Sequence, residues 1–366
     1  MVKETESERH ARGFSSWSQF VSMLFCQFGH AHSLREISGG LRSCEGKLKH
    51  LGISAPAKST LAYANEHRPW ELYQLSFLSL LGRCHSQVNI RKSKFRFKNP
   101  LVSLDSSFID LCLEVFDWAH YRRTKGAVKL HLLLDHDGYL PSFAVITDGK
   151  VSDVEVARQF KFAVDTIVVD DRGYNDYELF GKWTFEFVYF VTRMKDNAAY
   201  KVVKKNEVNP NRHILKDEII ELTGPGASEK CPFHLRRIEF YNVEKQEIMV
   251  FLTNHLKLAA ATIAAIYKDR WRIETFFRDL KQNLKIKTFV GTSANAVKIQ
   301  IWTALIAMLI LRFLQLRSKF GWSLSNLVAL LRMNLFTHRD MWAWLDQPFE
   351  VLPIPYDSEQ LQFDLT

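Results

Sequence analysis

Apolar residues recur at helical spacing through residues 14–88, as in Trp17, Phe20, Val21, Leu24 and Phe28, and predict an all-helical N-terminal segment. Ser33-Leu34-Arg35-Glu36 has the spacing of a capping box and marks a second helix start. Shorter helices follow at 45–51 and 57–67, punctuated by Gly52 and Pro56. The second of these carries Tyr63, Asn65, His67 and Arg68 near its end, which fits either a helix-turn-helix or a plain bundle. From residue 101 the period changes to that of strands. Leu101–Asp105 and Phe108–Leu113 are short β-rich runs, and Val128–Leu134 and Tyr139–Thr147 flank Asp135-His136-Asp137-Gly138 as a hairpin would. A helix over Asp153–Phe162, a buried strand at Thr166–Val169, a helix over Asn175–Trp183 and a strand at Phe185–Thr192 complete a mixed sheet with helices on its faces. Residues 196–254 show strand runs without helical period, and 257–318 are helical again.

These shifts divide the chain into a helical segment at 1–88, taken as DNA-binding, and a basic linker at 89–99. Then come the first part of an α/β core at 100–195, a β-rich insertion at 196–254, the second part of the core at 255–320, and a C-terminal helical region and tail at 321–366. Composition sharpens this only in part. With 366 residues, 47% hydrophobic and 24% charged, the chain is of globular type and long enough to bury a core without staples. The 49 Lys and Arg against 40 Asp and Glu leave +9, which favours polyanionic partners. The linker run Arg91-Lys92-Ser93-Lys94-Phe95-Arg96-Phe97-Lys98 suits phosphates. Five scattered cysteines, without a C-x-x-C pair, argue for reduced thiols in a cytoplasmic protein. The polar, charged N-terminus does not read as a signal peptide. The most apolar stretch, Ile299–Leu311, holds 13 uncharged residues, short of the ~18 that span a bilayer, and predicts a buried helix and no membrane partner.

The chemistry concentrates between Tyr267 and Lys281. On a helical wheel Tyr267, Arg270, Glu274 and Lys281 fall within an arc of about 60°, while Ile273, Phe276, Phe277, Leu280 and Leu284 form a separate apolar face. Segment 268–287 carries seven positive and three negative charges. One carboxylate among cations suits phosphate chemistry with a hard divalent ion, although Arg270 and Glu274 also have the spacing of a surface ion pair. Asp105 at the end of a predicted strand and Asp171 just past another would complete a cradle of carboxylates. Asp170 and Asp110 are neighbouring alternatives. His131, Asp135, His136 and Asp137 look like a metal cluster on paper, but they lie in and beside a hairpin turn, where Asp and Gly serve the backbone. Phosphate-loop, nucleophile-elbow and zinc-protease motifs are absent from the sequence.

Y-x2-R-x3-E-x6-K (Tyr267, Arg270, Glu274, Lys281), Asp105-Ser106-Ser107 and Asp171-Arg172-Gly173-Tyr174 resemble, in order, the three motifs of a branch of bacterial insertion-sequence transposases. The resemblance runs from about 101 to 290. It implies an RNase H-like α/β core, with Asp105, Asp171 and Glu274 binding two Mg2+ or Mn2+ ions for cut-and-paste strand transfer. A hairpin intermediate is formed by some such enzymes. It implies that Tyr267, Arg270 and Lys281 grip terminal phosphates, with Arg193 and Lys195 on the same DNA. The implied partners are the terminal inverted repeats, target DNA and a second protomer in the synaptic complex, in a nucleoid-associated setting. Related enzymes stack a flipped base on an insertion Trp. Residues 196–254 contain none, so Tyr200, Phe233, Phe240 and Tyr241 are the candidates there. The rival readings are a nuclease of the same fold without joining activity and a non-catalytic, transposase-derived DNA-binding protein.

Overall fold

The structure is a computed structural model that describes residues 1–9, 11–87, 94–122, 125–208, 210–337 and 339–350. Arg91, Lys92 and Ser93 of the basic run, and the tail from 351, lie outside the described residues. Five helices come first: α1 (Ser16–Phe28), α2 (Leu34–Ser43), α3 (Glu45–Leu48), α4 (Lys58–His67) and α5 (Glu71–Gln87). Ser33 caps α2 by accepting from the Glu36 N–H at 3.2 Å, as the capping-box spacing predicts, while the Glu36 carboxylate reaches one residue past the cap to the His32 N–H at 2.9 Å.

Strands β1 (Leu101–Leu111), β2 (His120–Arg122), β3 (Lys125–Asp135) and β4 (Pro141–Asp148) follow, then helix α6 (Asp153–Ala157). Next come β5 (Ile167–Val169), helix α7 (Tyr177–Phe185) and β6 (Tyr189–Arg193). In space the strands run β4–β3–β1–β5–β6, with β2 beside the start of β3. β3 is antiparallel to β1, whereas β5 and β6 run parallel to it. Hairpin strands on one side and strand–helix–strand units on the other make this an RNase H-like α/β core.

The two short runs expected at 101–113 are a single strand. Ser106 and Ser107 continue the pairing with β3, opposite His131 and Leu130, so Asp105 is interior to β1 and not at its end. The segment expected as an insertion supplies β7 (Tyr200–Lys205), β8 (Ile214–Leu222), a helical turn α8 (Ala227–Lys230), β9 (Leu235–Asn242) and β10 (Glu247–Thr253). These strands extend the same sheet, because β10 pairs antiparallel with β6 through Phe251 and Arg193.

The remaining helices are α9 (Ala260–Asp269), α10 (Trp271–Asn283), α11 (Ala294–Arg317), α12 (Leu324–Met333) and α13 (Met341–Asp346). One face of the sheet, with Leu104, Val168 and Phe190, packs on α7 through Phe180 and Trp183. The other face packs on α9 through Ile263 and Ile266, and on α10 and α11. α11 is long and apolar enough to cross a membrane by length and composition alone, but 78% of its most apolar window is buried inside the protein. It is the central post of the largest core, covered by α1, α4 and α5 on one side and α10 and α12 on the other. Trp70 stacks on Trp302 with centroids 6.4 Å apart, and the Asn295 amide donates to the carbonyls of Asn65 and Arg68 at 2.8 and 2.7 Å. The N-terminal helices therefore share their core with the rest of the molecule.

Candidate active site

Strand register brings the two aspartates together. β5 pairs with β1 only over Ile167–Val169, and Ser103 faces Val169. Two residues further along both parallel strands stand Asp105 and Asp171, past the point where β5 stops pairing. Period-2 alternation puts Asp105 and Asp171 on one face of the sheet and Asp170 on the other. Asp170 is fully buried there, neither carboxyl oxygen has a partner, and burial pushes its carboxyl well above the usual range. Asp110 is exposed, five residues from Asp105 on the same strand. Asp171 caps the tight turn Arg172–Tyr174 by accepting from the Gly173 N–H at 2.7 Å. A Cβ on Gly173 would lie 2.9 Å from that same carboxylate oxygen, so the turn takes glycine for the close approach.

The helix carrying Glu274 is interrupted where the wheel assumed continuity. α9 ends at Asp269, α10 starts at Trp271, and the Ile273 N–H bonds the Arg270 carbonyl three residues back at 3.0 Å. Arg270 keeps helical dihedrals at this junction (φ −52°, ψ −31°). Its guanidinium turns between the acids, donating to Asp105 Oδ2 at 3.3 Å and to Glu274 Oε1 at 2.6 Å. The apolar face expected of α10 is in place: Ile273, Phe276, Phe277, Leu280 and Leu284 are all buried.

Electrostatics mark the centre of the cluster. Burial raises the Asp105 carboxyl to about 7; the Arg270 guanidinium opposes this, and the negative charges of Asp171 and Glu274 add to the rise. Three hard oxygen donors in mutual repulsion are a donor set suited to Mg2+ or Mn2+. Among the described residues, no group of three acidic, His or Cys side chains is close enough to form a ready metal cage. The Arg270 cation bridges two of the three acids instead.

One groove borders Asp105 and Glu274, and a second lies on the other side of Arg270. One, of about 370 Å3, is lined by Asp105, Ser106, Ser107 and Glu274 with the cations Arg278, Lys281 and Lys287. The other, of about 920 Å3, lies between the β9–β10 hairpin and the α9–α10 junction, where Arg193, Tyr267, Arg270, Lys94, Lys245, Lys268 and Arg272 surround an apolar floor of Phe240, Met249 and Phe251. Tyr267 is buried against Phe251, with the Arg270 guanidinium 5.4 Å from its ring centroid. Lys281 reaches back to β1, donating to Ser107 Oγ and the Phe108 carbonyl at 2.8 Å each. Lys195 is exposed, donates to the Asn175 carbonyl at 3.1 Å and lines neither groove.

Several residues at the site were not singled out from sequence. Trp271 is 55% exposed on the wall of the larger groove, with Lys245 Nζ 5.8 Å from its ring. It stands only about 40° from Tyr267 on the wheel, a signal that the arc argument passed over. Of the other candidates for base stacking, Phe240 lines the groove floor, and Tyr200 carries the Arg237 guanidinium 5.1 Å from its ring. His136, set aside as a turn residue, bonds Asp269 and Ser103, and no sequence pattern links those three positions.

The family model described as the transposase DDE domain matches residues 96–310, and a model for a domain of unknown function matches 1–54. A protein of Sinorhizobium fredii named as transposase y4zB is 31% identical over 82% of this chain and 83% of its own. One from Geobacillus stearothermophilus, named for insertion sequence element IS5377, is 29% identical over 71% of this chain and 68% of its own. One from Synechocystis, named for element IS4SA, is 26% identical over 72% and 73%. A solved piggyBac transposase synaptic complex with hairpin DNA aligns over 97% of this chain and 79% of its own at TM-score 0.42 and 10% identity, a distant likeness. With more than half of its length matched by the family model, the chain belongs to the DDE transposase family.

Proposed function

We propose that this DNA transposase cuts the ends of an insertion sequence and joins them to target DNA by cut-and-paste, using Asp105, Asp171 and Glu274 to hold two divalent ions, Mg2+ or Mn2+. What supports the proposal is that strand register sets Asp105 beside Asp171 while Arg270 bridges Asp105 to Glu274, next to a groove lined by Arg278, Lys281 and Lys287. Bound there, such ions supply Lewis acidity and charge stabilisation for in-line displacement at phosphorus. The protein's own groups position the DNA. Arg270, Lys281 and Arg193 hold terminal phosphates by charge-assisted hydrogen bonds, and the Tyr267 ring backs Arg270. Arg270 leaves the carboxylates as it takes up a phosphate. Trp271 offers an exposed face for an unpaired base.

The larger assembly is proposed on the same footing. Residues 1–88 recognise the terminal inverted repeats, where Tyr63 and His67 form an exposed stack with centroids 4.0 Å apart. Two protomers pair the two ends, on the bacterial chromosome in the cytoplasm. Glu274→Gln and Asp171→Asn test the reading. Each is expected to abolish Mg2+-dependent nicking of transposon-end DNA while binding in EDTA persists. Cleavage by either variant at the parent rate would refute it. Cleavage without joining in the parent protein would favour a nuclease.

A further inference from the structure

Asp269, the last residue of α9, sits directly before Arg270 and is almost wholly enclosed. Its carboxylate accepts from Lys94 Nζ at 2.7 Å on one oxygen, and from His136 Nδ1 at 2.7 Å and Tyr139 Oη at 3.0 Å on the other. The far nitrogen of His136, Nε2, is 2.7 Å from Ser103 Oγ. Ser103 is fully buried on β1, two residues before Asp105 and on the same strand face. The hydrogen-bonded chain thus runs from the strand bearing Asp105, through the β3–β4 turn, to the junction from which α10 carries Glu274. Serine, histidine and aspartate in this order have the connectivity of a hydrolase triad, but an enclosed hydroxyl cannot reach a substrate, which leaves a structural or positioning role. Burial would raise the Asp269 carboxyl, yet the bonds from His136 and Lys94 hold it below the usual carboxylate range, so it stays an anion that ties these donors together.

Side chains thus tie β1 to α10 at both ends of the helix: Lys281 bonds Ser107 and Phe108 near its C-terminus, and two further ties stand beside Glu274. One tie is Arg270, between Asp105 and Glu274. Arg270 uses two of its five N–H groups on this tie, and a phosphate that draws the guanidinium away from the acids breaks it. We infer that Ser103, His136 and Asp269 form a positioning relay that keeps Glu274 in register with Asp105 once Arg270 has left them. The helix junction is where such a device acts: the ladder shifts there to an i→i−3 bond at Ile273, and the Asp269 side chain adds bonds that the backbone does not supply. The inference rests on the proposal that Asp105 and Glu274 act together at one site.

The test compares His136→Ala, His136→Asn and Glu274→Gln in the full chain with transposon-end DNA. Asparagine retains a donor toward Asp269, and alanine does not. His136→Ala is expected to lower kcat for end cleavage by about 10- to 100-fold. KM for DNA and DNA binding in EDTA should stay at parent values. Calorimetric Mn2+ affinity should fall by about tenfold, and His136→Asn should recover part of both losses. Parent-like kcat and Mn2+ affinity in His136→Ala would overturn the relay, as would asparagine that restores nothing. If a variant does not fold, Ser103→Ala, which removes only the far link, gives the same readings. Glu274→Gln separates the layers: if it cleaves at the parent rate, the functional reading itself fails; if it is inactive while His136→Ala is parent-like, only the relay fails.

Discussion

Asp105 shows how the burial of a single carboxyl costs stability. Its folded-state value of about 7 lies above the ordinary 3.8, so between those pH values the folded protein binds a proton that the unfolded chain has released. Stability contributed by this group therefore falls as pH rises across that window, and the full penalty is present above about 7. Asp105→Asn removes the ionisable oxygen. The variant is expected to be more stable than the parent at pH 8, by on the order of 2–4 kcal/mol. The advantage should shrink as pH falls and vanish near pH 4, which thermal or urea unfolding across that range would read. A variant less stable than the parent at pH 8 would show that the bond to Arg270 outweighs burial. A divalent cation held there, as proposed, would reverse the sign, because it binds the ionised form and competes with the proton.

Among the helices, α7 illustrates how tightly the scaffold behind Asp171 is built. It follows the Asp171 turn directly, starting from the Asp176 side chain, which accepts from the Leu179 N–H at 2.8 Å. At Gly181 it passes so close to α8 that an added Cβ would stand 2.0 Å from the Lys230 carbonyl oxygen. That contact is with backbone, so no side chain can swing aside. Gly181→Ala should destabilise the protein by about 1–3 kcal/mol or more, despite the better helix propensity of alanine. Chemical denaturation measures this; an unchanged midpoint would mean that α8 shifts freely. The α9–α10 junction shows the opposite economy. There a local irregularity lets Arg270 turn between the acids, and side-chain bonds to Asp269 take over from the helical ladder.

For the molecule as a unit, the long helix α11 decides the thermodynamics. Fifteen of its side chains are buried, and the helices of the first 87 residues cover one flank of it. Stripping those helices would uncover the flank of α11 around Trp302, which Trp70 and Phe77 now cover, an apolar area that a stable core does not leave in water. The N-terminal helices and the RNase H-like core should therefore unfold in one cooperative transition. Calorimetry tests this: two separated transitions, one of a size fitting about 87 residues, would contradict it. The net charge of +9 acts over the same dimension. DNA affinity should fall steeply with salt, with a log–log slope near −0.9 for each phosphate neutralised.

The order of strands and helices, the capped α2, the apolar face of α10 and the buried character of α11 could be read along the chain. Each depends on periodicity or on groups three or four residues apart, and such local geometry follows from the backbone itself. The change of period at residue 101 was legible for the same reason. The continuity of β1, the extension of the sheet through β10, the break at Arg270 and the bond network of Asp269 were not. Those features depend on which strand lies beside which, and on donors such as His136 and Lys94 that stand more than a hundred residues from their acceptor. A wheel or an alternation pattern describes one element at a time. The meeting of Asp105 with Asp171 was set by parallel register, and the bridge from Arg270 by a turn of the chain between two helices, so only the packed molecule could decide them.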